Sequence, residues 1–376
     1  MSETSQAPPP PAEAESPVRS VHTESFARLL EHAGISLLVS TYQAGRLIVL
    51  RFVDGVVNTH FRAFDVPMGI ALGRHRMALG VRTMVLELGN YPQLGRQIPT
   101  GTPGLEHDAC FMPTRGHVTG DIRAHEMGYA RGPGNKDDEL WIVNTRFSCL
   151  CTLERDSSFA PRWKPKFVTA LANEDRCHLN GLAMLDGRPR LVTALGQTDS
   201  AEQWRLHKTE GGCLIDISND QVLATGLCMP HSPRIYDHRT WLLESGKGQV
   251  NAIGESGRTK VITELPGFTR GLDFWDRYAF VGLSQVREKY FSGLPITDRL
   301  TPEQRKCGVW VVDLVHGQIV AWVEFTAGVQ EIFDVRVLHS IRYPEVIDFS
   351  MPQIASAYVL PDNAMSQVAG GQQLKA

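Results

Sequence analysis

Three histidines, His125, His178 and His231, stand at successive intervals of 53 residues, each near the start of a short strand-like segment. Imidazoles repeated at one interval can converge on a single divalent metal and leave positions free for water or substrate, as a metal-assisted lyase or hydrolase requires. Arginines recur around them. Arg123 and Arg176 precede two of the histidines by two residues, and Arg234 and Arg270 fall in or beside the position that glycine takes in other copies. A guanidinium there can clamp a carboxylate or phosphate. Glu331 and Asp334 enter the last copy at a comparable place, and a carboxyl in a low-dielectric channel can be tuned for acid–base work. The set reads as an enzyme acting on a small or peptidic anionic substrate, with one divalent metal as cofactor. A second reading uses the same residues. Each histidine is then a hydrogen-bonding strut inside its repeat, and each arginine pairs with an acidic neighbour such as Asp121, Asp175 or Asp273. The molecule would then be a non-catalytic scaffold that grips a protein or peptide partner.

The elements that would position these groups follow from the repeat itself. The segment E-D-R-C-H-L-N-G-L-A at 174–183 is echoed by R-A-H-E-M-G-Y-A, and Arg123, His125, Gly128 and Ala130 match Arg176, His178, Gly181 and Ala183. Looser copies place Gly69, Arg234, Gly271 and Val335 in the same column. A period of this size marks a repeat architecture. Between copies the pattern is a short strand, a polar turn, an apolar strand, a loop and two more strands, as in G-L-A-M-L, R-L-V-T-A-L, C-L-I-D-I and Q-V-L-A-T-G-L. Four strands per unit is a propeller blade. The chain therefore reads as all-β, a six-bladed β-propeller. Strands within 36–63 complete the blade that Glu331 begins, which would close the ring and remove exposed edges. A pair of β-sandwiches or a large barrel shares the regular strand spacing, but neither predicts a column of turn residues recurring in register.

In such a blade the chain enters the innermost strand on the same face as the loop between the second and third strands. That face collects the histidines and two long insertions, 197–211 and 285–306. Long loops in a compact domain are usually functional. Trp204 with Arg205, and Arg287 with Glu288 and Tyr290, would form a specificity collar around a channel mouth that takes a small-molecule or peptide ligand.

The ends read differently. Residues 1–20 are proline-rich, lack apolar side chains and are expected to be disordered. A single short helix follows, with Thr23 as cap, Phe26, Leu29, Leu30 and Ala33 at helical spacing, and Gly34 as stop. The propeller spans 21–352, and 353–376 reads as a flexible tail. Net charge is −3 with no run of five Lys or Arg, which argues against nucleic acid and anionic membrane as partners. No apolar run is long enough for a membrane span, and the acidic start lacks a signal peptide's pattern, so the expected location is cytoplasmic. Seven cysteines without a C-x-x-C pair read as buried thiols. Nucleophile-elbow, phosphate-loop, H-E-x-x-H and Rossmann motifs are absent from the sequence.

The strings L-W-I-V-N-T-R-F-S-C-L, C-H-L-N-G-L-A, M-P-H-S-P-R, G-F-T-R-G-L and F-S-G-L-P-I resemble a bacterial family of conserved hypothetical proteins, domain of unknown function 4915. The resemblance covers roughly residues 25–350 and implies a soluble, propeller-like bacterial protein. It carries no assigned activity, so it lends no catalytic residue. A weaker similarity, of fold only, is to six-bladed propeller enzymes, among them lactonases and lyases that hold a metal in the channel.

Overall fold

The computed structural model describes residues 18–132, 137–254, 256–285, 293–365 and 374–375. Its strands assort into six antiparallel blades. Blade one is built from Ile70–Leu72, Arg76–Gly80, Met84–Asn90 and Ala109–Val118; blade two begins at Ala124–Arg131, blade three at Leu179–Leu185, blade four at Pro230–Tyr236 and blade five at Phe268–Trp275. In the sixth, Asp334–Leu338 pairs with Ser36–Thr41, which is followed outward by Arg46–Val53 and Val56–Ala63. The first strand of every blade touches the first strand of the next, all the way round.

Burial follows the strand's place in this stack. Ser36–Thr41, sandwiched between neighbouring blades, is buried at every position, whereas the outer strand Gln221–Leu227 is largely exposed. Each junction between blades has its own apolar cluster. Leu38, Leu47 and Val49 of blade six meet Ile70, Met77 and Leu79 of blade one, and Val143 and Leu150 of blade two meet Leu179 and Val192 of blade three. Full burial of one such side chain contributes about 1.5–3 kcal/mol. The stacking of blades is thus the main cohesive term.

Polar groups repeat across these junctions as well. A hydroxyl at or just beyond the end of a second strand donates to a backbone carbonyl of the next blade: Ser40 to Met68 (2.5 Å), Thr145 to Leu179 (2.6 Å), Ser245 to Thr269 (2.5 Å) and Ser284 to Ile332 (3.1 Å). Between blades three and four, Asn180 Nδ2 donates instead to the Pro230 carbonyl at 3.0 Å. Blades one and two meet with no such side chain. There the backbone of Gly69 lies directly on the next blade, and a Cβ at that position would sit 1.5 Å from the carbonyl oxygen of His125.

The expected helix spans Glu24–Ala33, capped by the Thr23 side chain and stopped by Gly34 in the left-handed region. Its buried Phe26, Ala27 and Leu30 cover the junction of blades five and six. Shorter helices also occur, at Pro92–Gly95, Pro295–Arg299 and Gln353–Ser356, so the expectation of one helix is too few. Among the described residues no helix is long and apolar enough to cross a membrane.

The ends carry more structure than the sequence suggests. Arg19 and Ser20, expected to be disordered, belong to a strand Arg19–His22 that pairs with the edge of blade five. Past blade six the chain crosses to blade one, where Pro344–Val346 adds a parallel strand to its edge. Ile354, Ala357 and Val359, assigned to a flexible tail, pack on a cluster of Leu94, Cys110, Met112 and Ile347. Those apolar groups are too widely spaced in the tail to show a period. All seven cysteines are buried free thiols.

Candidate functional site

His125, His178, His231, Arg270 and Glu331 line one cavity of about 400 Å³ on the face where the chain enters the blades. Trp204, from the long loop of blade three, lies in the same wall and is itself buried. Several wall residues hold left-handed backbone, namely Val66, Arg123, His178 and Met229, with φ of 52°, 49°, 49° and 49°. For non-glycine residues such conformations are costly and persist where surrounding structure enforces them, characteristically at binding sites.

Two histidines are held in the same way. His125 Nδ1 lies 2.9 Å from the carbonyl oxygen of Arg123 and 2.7 Å from Thr145 Oγ1. His231 Nδ1 lies 3.0 Å from the Met229 carbonyl and 2.8 Å from Ser245 Oγ. Each ring is therefore tied into its blade through Nδ1 while it lines the cavity. Burial pushes both well below the usual histidine pKa, and the charge of Arg270 adds to the effect, so both are neutral at neutral pH.

His178 is oriented by a carboxylate instead. Its Nδ1 donates to Asp175 at 2.9 and 3.1 Å, and Asp175, almost wholly buried, also receives Arg123 at 3.2 Å. The ring packs on Trp204, with centroids 4.4 Å apart, and stands edge-on to His125 at 5.1 Å.

Arg270 differs from Arg123, Arg176, Arg205 and Arg234, each of which pairs with a carboxylate. Its guanidinium lies 3.9 Å from the centre of the Phe333 ring and 5.9 Å from that of Tyr42. Neither a hydrogen bond nor an ion pair joins it to a described residue. Burial lowers its pKa to about 10, which leaves it charged at neutral pH. Glu331 is buried in the same wall, and desolvation raises its carboxyl to about 7.

Two expected members lie elsewhere. Arg234 and Asp334 sit deeper along the axis in a buried charge cluster, so neither is available to a ligand in this cavity. Arg234 Nη1 is 2.9 Å from Glu126, its Nε donates to the Leu272 carbonyl at 2.8 Å, and its Nη2 is 3.8 Å from Asp334. Asp334 also meets Arg336 at 3.2 Å and accepts the backbone N–H of Ile70. The reason is strand geometry: side chains alternate along an inner strand, and a shift of a few residues turns them from the mouth to the axis. Arg123 and Arg176 are taken up by Asp175, and by Glu174 and Asp199, as the pairing alternative had it. Arg205 lies over Trp204 and pairs with Glu202. Arg287, Glu288 and Tyr290 lie outside the described residues.

Sequence reasoning missed Glu126, Thr145, Ser245 and Phe333. Glu126 could have been found as the lone carboxylate inside an otherwise apolar inner strand, next to His125. The hydroxyls carry no such signal, because their spacing from the histidines differs, at 20 and 14 residues. Although the three histidines share the cavity, no three His, Cys, Asp or Glu side chains among the described residues are grouped to hold a metal ion. The wall already holds the cations of Arg82, Arg123, Arg205 and Arg270, and of these Arg270 has no carboxylate partner among the described residues.

A family model described as a domain of unknown function, DUF4915, matches residues 24–347. No curated protein matches the chain. Among solved structures, a chain of a nidogen/laminin complex aligns with 82% of this chain and 99% of its own, at 11% identity and a TM-score of 0.46. Virginiamycin B lyase from Staphylococcus aureus aligns over 82% and 99%, at 9% identity and a TM-score of 0.37. A protein of unknown function from Bacteroides caccae aligns over 81% and 98%, at 9% identity and a TM-score of 0.38.

Proposed function

The chain belongs to the DUF4915 family, and from that premise we propose that it is an acid–base enzyme, a lyase or hydrolase, acting on a small anionic substrate in the histidine-lined cavity. The observation that carries this reading is Arg270. A guanidinium held against Phe333, with no carboxylate in contact among the described residues, is an anion site awaiting its anion. The cavity's size, about 400 Å³, and its walls of Trp204, Phe268, Met229 and Leu195 suit a ligand with an apolar body.

The remaining groups supply proton transfer. His178 Nε2 takes a proton, either from carbon beside the bound anion or from an attacking water, while Asp175 behind Nδ1 stabilises the imidazolium that forms. Glu331, with a pKa raised to about 7, returns a proton to the leaving group. Arg270 meets the charge that develops, a role the metal-assisted version of this chemistry gives to an ion. The reading is tested by calorimetric titration of small aromatic carboxylates and phosphates into the wild-type protein and R270Q. Affinity should fall about thirtyfold or more in the variant; equal affinity would overturn the reading. Arg270-dependent binding with no turnover, unchanged by H178N, would favour a non-catalytic scaffold.

A further inference from the structure

The hydrogens behind two of the histidines determine what their cavity-facing sides can recognise. A threonine or serine hydroxyl has one hydrogen to give. Thr145 lies 2.6 Å from the Leu179 carbonyl and Ser245 lies 2.5 Å from the Thr269 carbonyl, and a carbonyl oxygen can only accept. Each hydroxyl hydrogen is therefore committed to the next blade, and each hydroxyl meets its histidine as an acceptor. The second neighbour of each Nδ1 is a backbone carbonyl, of Arg123 or Met229, and is likewise only an acceptor. Both contacts require hydrogen on Nδ1. A neutral imidazole has only one, so Nε2 carries a bare lone pair. The carboxylate of Asp175 likewise requires hydrogen on Nδ1 of His178.

The cavity thus presents unprotonated nitrogens beside the fork of Arg270, because the other guanidinium groups in the wall, of Arg82, Arg123 and Arg205, are paired with Asp65, Asp175 and Glu202. An anion alone satisfies Arg270 and leaves the imidazoles facing it with lone pairs, which repel its oxygens. A group with its own hydrogen to donate removes that repulsion. We propose that the ligand is an α-hydroxy carboxylate, its carboxylate on Arg270, its hydroxyl donating to Nε2 of His125 or His231, and its apolar substituent against Trp204 and Phe268. A neutral hydroxyl fits better than an ammonium, since Arg270 already places one positive charge in the wall. This inference rests on the anion-binding reading of Arg270 and adds the donor. Thr145 and Ser245 are positioning residues, because they act on the ligand only through the imidazoles.

Two measurements test it. Nitrogen-15 NMR of histidine-labelled full-length protein should show His125 and His231 protonated at Nδ1 and bare at Nε2; the reverse tautomer at both would overturn the proposal whatever binds. Titration should then show phenyllactate binding at least about tenfold more tightly than hydrocinnamate, which lacks only the hydroxyl, because a site built for a hydroxyl is left with an unmatched group by its analogue. Equal affinities, both weakened in R270Q, would remove the donor and leave the anion site standing. Binding that is absent, or indifferent to R270Q, would overturn both. Phenylalanine binding more tightly than phenyllactate would replace the hydroxyl with an ammonium and overturn the proposal as stated.

Discussion

Arg234 stands in the glycine column of the repeat and Arg270 one position before it in the next copy, and they have opposite surroundings. Arg234 is enclosed by Glu126, Asp334 and backbone carbonyls, and although burial works against its charge, these carboxylates more than compensate and raise its pKa. Arg270 has the burial without a carboxylate in contact, so desolvation outweighs the more distant charges of Glu126 and Asp334 and its pKa falls to about 10. The first arrangement ties blades two, four and six together along the axis. The second leaves a cation held by aromatic faces at an open mouth. A buried charge that is satisfied within the chain serves the fold, whereas one supported only by π faces retains capacity for a partner from outside.

The comparison would break first at Glu126. E126Q leaves Arg234 buried without its nearest carboxylate and should cost about 3–5 kcal/mol of stability by urea denaturation. R270Q should change stability by less than about 1 kcal/mol, since a cation–π contact of that order is lost while a desolvated charge is relieved. An equal loss in both variants would make Arg270 structural. T145V should come next, at about 1–3 kcal/mol, because the Leu179 carbonyl loses a buried donor and His125 Nδ1 a buried acceptor. Urea denaturation of T145V beside wild type measures it, and an unchanged midpoint would show that the hydroxyl adds nothing to the blade junction.

The smallest effect is in pH. Glu331 is neutral below about pH 7 and ionised above it, and an ionised carboxylate in the cavity wall repels an anion on Arg270. Anion affinity should therefore fall as pH rises through about 7, and E331Q should flatten that profile. The same carboxyl holds its proton in the native chain after the unfolded chain has released it. Its contribution to stability consequently declines between the ordinary glutamate range and about pH 7. A titration curve without an inflection near 7 would show that Glu331 does not sense the ligand site.

Much of this was legible because the repeat fixes geometry. Six columns in register imply six equivalent inner strands, and the interval of 53 residues brings His125, His178 and His231 to one face. The strut and the ligand-facing roles, which look exclusive in sequence, belong to different nitrogens of one ring. Arg234 and Asp334 misled because alignment locates a residue along the strand but not around it. The strand Pro344–Val346 was invisible for another reason: three residues show no alternation, and their pairing with Ala109, Cys110 and Phe111 is set by tertiary contact alone.

The glycine contact between blades one and two can also be viewed mechanically, as part of a hoop. Six blades close a circle, so extra width at one junction must be absorbed by the other five or open the ring. At Gly69 there is no slack, because a methyl group would stand 1.5 Å from the His125 carbonyl and ordinary contact needs about 2 Å more. The wall displaced by that wedge is the one that carries His125. The bore of the cavity is accordingly gauged by how closely the blades nest, and a substitution at Gly69 would resize it without changing any residue that touches a ligand.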